Sequence, residues 1–200
     1  MTGRTRGRPR GGVATDTREQ ILTAARTAFA EKGFDGASLR AIASAAEVDA
    51  SLIRHYFGDK AGLLVATLQL PVNPLELIMP MLAEGPNGLG ARILTTFVTT
   101  WDAHREVFSG LIRTTVATAD RGAPALSLVR GVLLPTLAQV IGGQDAQLRA
   151  SLLMSQVFGM ATVRYVLRIE PLASASIEDV VALYAPGMQA IITPAKHKLS

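Results

Sequence analysis

The sequence predicts an all-α protein in which a small N-terminal group of helices precedes a larger helical body. Apolar residues recur at spacings of three and four between breaks at proline and glycine. No segment alternates apolar and polar residues with the period of two that marks a half-buried strand. Apolar residues make up 48% of the chain and charged residues 18%, which favours a large buried interior.

Residues 1–14 have no apolar periodicity and are rich in glycine, proline and arginine, so we expect a disordered basic arm. The formal net charge of the chain is +4, with 20 basic and 16 acidic residues. Four arginines lie within residues 1–12, and the rest of the chain is balanced at 16 basic (20 − 4) against 16 acidic residues. The excess charge on the arm indicates either a polyanionic partner or a solubilising tail.

The ordered chain is expected to begin at Thr17, where Thr17-Arg18-Glu19-Gln20 fits a capping box. The first helix then covers about residues 18–32, and Gly33 suits the left-handed position after its end. Polar side chains suited to capping precede three shorter helices. The predicted helices and caps are 39–46 after Ser38, 50–57 after Asp49, and about 60–70 after Asp59, ending before Pro71.

Residues 38–57 therefore form two short helices joined by the turn Glu47-Val48-Asp49, the layout of a helix-turn-helix. Alanines 41, 43, 45 and 46 allow the helices to cross closely, and Val48 can anchor the turn. The second helix bears polar side chains on one face, namely Ser51, Arg54, His55 and Tyr56. An ordinary helical hairpin in a core has the same pattern, so the spacing alone leaves both interpretations open.

The body is predicted to contain six helices, near 74–84, 89–104, 106–119, 124–141, 145–169 and 177–192. The last two are apolar on more than one face, which indicates burial on several sides. They either complete the core of one subunit or pack against a second copy. The uncharged stretches fall short of the roughly 18 residues that a membrane-spanning helix needs, and we expect no membrane association.

Catalytic and metal-binding motifs are absent from the sequence. The chain has no cysteine, which excludes disulfides and thiolate ligands, and its three histidines lie far apart. His104, near Asp102 and Glu106, is better explained as a solvated helix end than as a metal site. We therefore predict no enzyme activity, no cofactor and no metal. The lack of cysteine and of an apolar leader after the arm indicates a cytoplasmic protein.

The stretch from Thr17 to Leu64 resembles the N-terminal domain of the TetR (tetracycline-repressor) family. The matching pieces are TREQIL, FAEKGF, SLRAIA, the valine turn and HYFGDKAGLL. A weaker similarity to one C-terminal subclass extends from LPVNP through TVRYVLRIEPLAS to VVALYAP. The resemblance implies a helix-turn-helix DNA-binding domain at 15–62 and a helical effector-binding and dimerisation domain at 63–200.

The resemblance also implies a set of DNA contacts. Arg40 would touch the backbone or a base edge, and Lys60 a phosphate. Base-facing positions are Ala50, Ser51 and Leu52, groove- and phosphate-facing positions are Arg54, His55 and Tyr56, and Ser38 joins the set at the start of the second helix. The chain departs from the family pattern at Glu47, where glycine is usual, at Asp49, where serine is usual, and at Arg54, where tyrosine is usual. These departures suggest an altered operator preference.

Arg6-Gly7-Arg8-Pro9 resembles the core of an AT-hook, so Arg6 and Arg8 are candidates for insertion into a narrow A·T minor groove. Diffuse attraction to phosphates is the alternative explanation.

By family analogy, the body would hold a pocket for a small hydrophobic effector. The candidate lining residues are Met79, Phe97, Trp101, Phe108, Met154, Phe158 and Tyr165, with Met81 as a further possibility. Thr96, Thr100, Arg113, Gln156 and Arg164 could orient the ligand. Each could equally be a core residue.

The resemblance implies a homodimer that pairs helices 145–169 and 177–192 with their two-fold mates, with Ala150, Ser155, Gly159 and Ala161 allowing close approach. We therefore predict a repressor that binds double-stranded DNA at an inverted-repeat operator and is released by a small hydrophobic effector. The alternative is a DNA-binding regulator without a small ligand. A helical enzyme is the third possibility, but the chain lacks a nucleophile and base in any recognisable arrangement.

Overall fold

The computed structural model describes residues 10–118 and 123–194, and these residues form helices and no strand. The helices are α1 (Arg10–Gly36), α2 (Leu39–Ala45), α3 (Ala50–Phe57), α4 (Lys60–Leu68), α5 (Pro74–Ala83), α6 (Leu89–Asp102), α7 (Arg105–Ala117), α8 (Pro124–Leu128), α9 (Leu134–Ile141), α10 (Ala146–Ala161) and α11 (Ile177–Ile192). The predicted all-α fold is confirmed. Two π-helical turns, Val129–Leu133 and Thr162–Leu167, continue α8 into α9 and extend α10.

Helix α1 begins at Arg10 and not near residue 18, so the prediction of disorder is wrong for residues 10–14. No proline lies between Arg10 and Thr17, and glycine or threonine inside a helix costs only up to about 1 kcal/mol per residue. The helix can therefore continue upstream of the expected capping box. At its other end the prediction holds, because Gly33 has a φ of 68° and interrupts the helix.

A first core joins α1, α2, α3 and α4. Ile21, Phe29, Ile42, Ile53 and Leu64 are all fully buried within it. Leu63 and Leu64 belong to α4, and Leu128 of α8 packs into the same cluster, so this core continues past residue 62. We call α1 to α4 the head and the helices from α5 onward the body. The head and body meet where α8 packs against α1 and α4.

The body core lies between α5, α6, α9, α10 and α11. Helix α11 packs along α6, and the approach is closest at Gly90, whose N–H donates to Gln189 Oε1 at 3.1 Å. A second cluster of the body consists of Trp101, Phe108, Ile112, Ala161 and Tyr165, between α6, α7 and the end of α10.

Two helical stretches, Pro124–Ile141 and Ala146–Leu167, are long and apolar enough by length and composition to cross a membrane. The uncharged runs in the sequence are shorter, because each stretch carries an arginine or two that interrupt them. Core helices of water-soluble proteins satisfy the same criteria, so the two stretches are weak evidence for a membrane.

Candidate nucleic-acid interface and apolar cavity

The turn between α2 and α3 follows the Schellman pattern. Val48 N–H donates to the Ala43 carbonyl at 3.0 Å, and Glu47 N–H donates to the Ser44 carbonyl at 3.2 Å. This pattern places Glu47 in the left-handed region, with a φ of 56°. Val48 packs on the head core beside the turn. At this positive φ the side chain of Glu47 strains the backbone where glycine would not.

Helix α3 begins at its predicted cap. Asp49 Oδ1 accepts the N–H of Ser51 at 2.7 Å. Hydrogen bonds from the side chain and backbone of Ser51 hold the pKa of the Asp49 carboxyl below its usual value. The carboxylate is therefore charged at neutral pH and stays available as a cap.

The faces of α3 separate clearly. Ile53 is fully buried in the head core, whereas Ser51, Arg54 and His55 are exposed. A short helix with one buried apolar residue and an exposed polar row can lie in a DNA groove without losing its attachment to the head.

The other predicted DNA contacts divide into exposed and partly buried residues. Arg40 is exposed, and Ser38 caps α2 by accepting the N–H of Ala41 at 3.1 Å. Ala50, Leu52 and Tyr56 are half-buried against the head core, so each presents only part of its surface. Arg6 and Arg8 lie outside the described residues.

Lys60, at the start of α4, is held on the head. Its Nζ lies 4.6 Å from the centroid of the Phe34 ring and donates to the Asp35 carbonyl at 3.3 Å. Asp59 caps α4 by accepting the Gly62 N–H at 2.8 Å. The ammonium therefore lies at the helix start in a defined position.

Arg18 on α1 belongs to the same surface, and the sequence did not single it out. Its guanidinium carbon lies 5.3 Å from the centroid of the Phe57 ring, at the end of α3. The side chain is exposed. The two residues are 39 positions apart (57 − 18), so only the packing of α1 against the other head helices reveals the arginine.

The body contains a partly open cavity of about 180 Å³ beside the head. Its walls are almost entirely apolar. Residues from α4 to α10 line it: Leu68, Leu70, Val72, Pro74, Leu77, Ile78, Met81, Leu82, Ile93, Thr96, Phe97, Thr100, Trp101, Phe108, Leu111, Ala125, Leu128, Val129, Leu133, Leu137, Met154, Val157 and Phe158.

Five of the predicted lining residues meet at this cavity, namely Phe97, Trp101, Phe108, Met154 and Phe158. The prediction is wrong for Met79, which is 46% exposed on the outer side of α5, while Met81 lines the cavity instead. It is also wrong for Tyr165, which is buried behind the cavity wall and packs edge-on against Phe108. Arg113 is exposed, and Gln156 is not in the wall.

Arg164 does not line the cavity, and four of its five N–H groups donate to other parts of the protein. Its Nε and Nη2 donate to the two carboxylate oxygens of Asp102 at 3.0 and 2.7 Å. Its remaining hydrogen bonds go to the carbonyls of Leu172 and Ala175, at 2.6 and 3.0 Å. The Tyr165 hydroxyl also donates to Asp102, at 3.0 Å. This Asp102–Arg164 pair ties the end of α6 to the loop that leads into α11.

The charges of this network stabilise each other. Burial opposes ionisation of Asp102, but hydrogen bonds from Arg164 and Tyr165 and the positive charges of Arg164 and Arg105 outweigh it, so the pKa of Asp102 is lowered. The bond to Asp102 raises the pKa of Arg164. Burial and the neighbouring Asp102 charge raise the pKa of Tyr165. The tyrosine remains a neutral donor, and the ion pair is complete at neutral pH.

The outer face of α10 and α11 is apolar and uncovered. Leu148 and Leu152 on α10 are 61% and 45% exposed, and Leu183 on α11 is 86% exposed. Ser155 and Gly159 continue the α10 stripe, whereas Ala150 and Ala161 are buried inside the subunit and cannot supply the predicted close approach. No cluster of three metal-ligating side chains occurs within residues 17–118 and 123–194.

Comparison with known proteins gives matches over both parts of the chain. Residues 21–67 match the family described as "Bacterial regulatory proteins, tetR family". Residues 87–192, more than half of the chain, match the family "Tetracyclin repressor-like, C-terminal domain".

Among individual relatives, the chain is 41% identical over 56 residues to the HTH-type transcriptional repressor AcnR of Corynebacterium glutamicum, covering 28% of this chain and 30% of that protein. It is 36% identical over 61 residues to the HTH-type transcriptional regulator BetI of Burkholderia cenocepacia, covering 30% and 31%. The chain thus aligns with less than a third of the length of these curated relatives.

A TetR-family regulator of known structure from Streptomyces coelicolor A3 is 38% identical, with 94% of this chain and 99% of that chain covered and a TM-score of 0.45. The two family matches follow one another along the chain, in the order of the helix-turn-helix head and the helical body. The chain therefore belongs to the TetR family of bacterial transcriptional regulators.

Proposed function

We propose that the chain is a homodimeric, DNA-binding repressor that leaves an inverted-repeat operator when a small apolar effector fills the body cavity. The observation that carries the DNA-binding part is the division of α3 into a buried Ile53 and an exposed row of Ser51, Arg54 and His55. Its polar groups can reach base edges in a major groove while the head core keeps the helix fixed.

Positive charge around α3 supports the same proposal. Arg18, Arg40, Arg54 and Lys60 lie on the elements that flank or form the recognition helix, and three of the four are exposed. Arginine and lysine contacts to phosphate fix the register of a protein on a duplex, whereas contacts to base edges select the sequence. Arg54 suits the second role because a guanidinium can bind guanine O6 and N7 with two hydrogen bonds.

Binding to an inverted repeat requires a second copy of α3, and the outer face of α10 and α11 supports dimer formation. Leu183 on α11 is 86% exposed, and Leu148 and Leu152 extend the apolar surface on α10. Pairing of two such faces would bury these leucines in a four-helix bundle. A two-fold dimer then presents its recognition helices one duplex turn, about 34–36 Å, apart.

The cavity supports effector control and favours it over a regulator without a small ligand. A fully packed body would have favoured a regulator without a small ligand. The body instead contains about 180 Å³ of apolar space. Apolar cavities of roughly 150 Å³ bind benzene-sized molecules. The effector class that fits is a small, neutral hydrocarbon-like molecule, because the cavity walls are almost entirely apolar.

Selection of bound duplexes from a random DNA library tests the proposal directly. We expect enrichment of two half-sites in inverted orientation, with centres about one helical turn or a multiple of it apart. The same selection with toluene present, as a probe for the cavity, should recover less DNA. Enrichment of no sequence, or of a single isolated half-site, contradicts the dimeric operator-binding function. Undiminished recovery, together with no toluene binding by calorimetry, contradicts the effector part alone.

A further inference from the structure

The π-helical turn Val129–Leu133 lies between the cavity and the head. Leu128, Val129 and Leu133 line the cavity. Leu128, Val132 and Leu133 also pack on the head core. A π-helical turn holds one residue more than an α-helical turn, and such turns are frequent at functional sites. A change in the filling of the cavity therefore acts on a segment that is already in contact with the head.

Within this turn, Gly131 lies directly against Phe34 of the head. A Cβ atom placed on Gly131 would lie 2.5 Å from Cδ1 and 2.7 Å from Cβ of Phe34, closer than real Cβ contacts allow. Only glycine leaves room for the ring at this distance. The position of Phe34 therefore depends on the position of the π-helical turn.

Phe34 and the neighbouring Asp35 carbonyl together hold the Lys60 ammonium in place. Lys60 Nζ is 4.6 Å from the Phe34 ring centroid, within the range of a cation–π interaction. The ring of Phe34 also stacks on the fully buried Phe29, with centroids 6.2 Å apart. A shift of the ring would release the ammonium or move it relative to the start of α4.

We propose that Phe34 is a positioning residue for Lys60, and that Gly131 connects it to the cavity. The π-helical turn holds Phe34 in place, and Phe34 holds the ammonium ready to contact a DNA phosphate. Filling of the cavity moves the turn, the ring and then the ammonium, and it lowers the affinity for DNA. This inference rests on the proposed function, because it takes Lys60 as a phosphate contact and the cavity as the effector site.

Random-sequence duplex DNA suffices for the test, because a phosphate contact does not depend on base sequence. Fluorescence anisotropy over a series of salt concentrations gives both the affinity and the number of counterions released. We expect Lys60→Ala to lower the salt slope by about one. Phe34→Leu should weaken binding about threefold to fivefold and lower the slope toward that of Lys60→Ala. Phe34→Tyr keeps the ring and should bind like the unmodified chain.

Gly131→Ala should reproduce the effect of Phe34→Leu, because its Cβ atom would push Phe34 out of its position. The matched control is Gly110→Ala in α7, where an added Cβ meets no atom within 4 Å. A second variant, Ala125→Leu, enlarges a side chain that lines the cavity and so narrows the cavity. It should weaken binding in the unmodified chain and have little effect in the Phe34→Leu background. Circular dichroism melting identifies any variant that fails to fold.

The outcomes separate the inference from the proposed function. If the unmodified chain does not bind duplex DNA, the proposed function itself is wrong. If the chain binds but Lys60→Ala leaves the salt slope unchanged, Lys60 is not a phosphate contact and the inference is overturned. Unchanged affinity in both Phe34→Leu and Gly131→Ala, or an equal effect of Ala125→Leu in the two backgrounds, overturns the coupling and leaves the DNA-binding function standing.

Discussion

Arg54 carries the strongest hydrogen-bonding group on the exposed face of α3. No ion pair or hydrogen bond from its guanidinium is found among the described residues, so the group is available to a ligand. Ser51 lies three positions earlier on the same helix and shares its hydroxyl with Asp49. The two side chains can therefore read different groups of one half-site, a guanine by Arg54 and a neighbouring base edge by Ser51.

We expect Arg54→Ala to relax the preference for one base pair in each half-site, at a cost of about 1–3 kcal/mol of discrimination. Selection from random DNA with the variant and the unmodified chain measures this change position by position. Arg40→Ala is a suitable comparison, because Arg40 is exposed on α2 and not on the recognition helix. An unchanged selection profile for Arg54→Ala would remove Arg54 from the base-reading residues.

Glu47 shows the effect of a single backbone angle. Its φ of 56° belongs to the left-handed region, which costs a residue with a side chain roughly 1–2 kcal/mol. Glycine avoids this strain but loses more conformational entropy on folding, by about 0.5–1 kcal/mol. We expect Glu47→Gly to raise the free energy of unfolding by about 0.5–1 kcal/mol in denaturant titrations. Glu47→Ala keeps the Cβ atom that causes the strain, so we expect it to leave the free energy of unfolding nearly unchanged. A loss of stability in Glu47→Gly would show that the glutamate side chain makes a compensating contact.

At the level of the helices, most boundaries follow from the sequence. The expected helices 50–57 and 177–192 are confirmed as α3 and α11, because each starts at a good cap and ends at glycine or at a change of pattern. The start of α1 was wrong, since a capping box marks a favourable start and does not prevent the helix from extending further. The π-helical turns were not predicted, because one extra residue barely changes the apolar periodicity of a buried helix.

The cavity shows why a site is harder to predict than a helix. Met79 and Met81 are equivalent as residue types, but two positions on an α-helix are about 200° apart, and only Met81 faces inward. Tyr165 seemed suited to a ligand, yet its hydroxyl belongs to Asp102. The rotation of α5 about its axis places Met79 outside the cavity, and a hydrogen-bond partner 63 positions away holds Tyr165 behind the wall. A local sequence pattern shows neither of these facts.

The Asp102–Arg164 pair joins the end of α6 to the π-helical turn that extends α10, and its contribution to stability can be measured. Arg164 has a side-chain exposure of 1% and Asp102 of 20%, so removal of the carboxylate would leave a buried guanidinium unpaired. We expect Asp102→Asn to lower the free energy of unfolding by about 2–4 kcal/mol. Glu106→Gln is the matched control, because the Glu106–Arg168 pair is exposed and should contribute less than about 1 kcal/mol.

The same pair gives a direction for the dependence on pH. The pKa of Asp102 is lower in the folded chain than in the unfolded chain, where it is about 3.9. Its contribution to stability is therefore complete above the unfolded value and is lost as the pH falls through the folded value. Denaturant titrations between pH 7 and pH 3 should show a smaller loss of stability for Asp102→Asn than for the unmodified chain. Parallel curves would indicate that the pair does not titrate as proposed.

At the scale of the whole molecule, the exposed leucines predict the assembly. Leu183→Glu would place a charge in the centre of the proposed bundle, and we expect sedimentation to show a monomer or a much weaker dimer. Val116→Glu is the matched control, since Val116 is 73% exposed on α7, away from α10 and α11. A dimer that is equally stable in both variants would place the interface elsewhere. The Leu183→Glu monomer should also lose most of its affinity for an operator with two half-sites.

Leu128 of α8 packs with the buried side chains of α1 and α4. The head and the body are therefore in direct contact and are not joined by a flexible linker alone. A fragment that ends at residue 62 would lack Leu63, Leu64 and Leu128, which are all part of the head core. Its melting temperature should be far below that of the intact chain. Because the head and the body share this packing, we expect heat or a destabilising substitution in the body to disrupt the proposed DNA-binding face of the head as well.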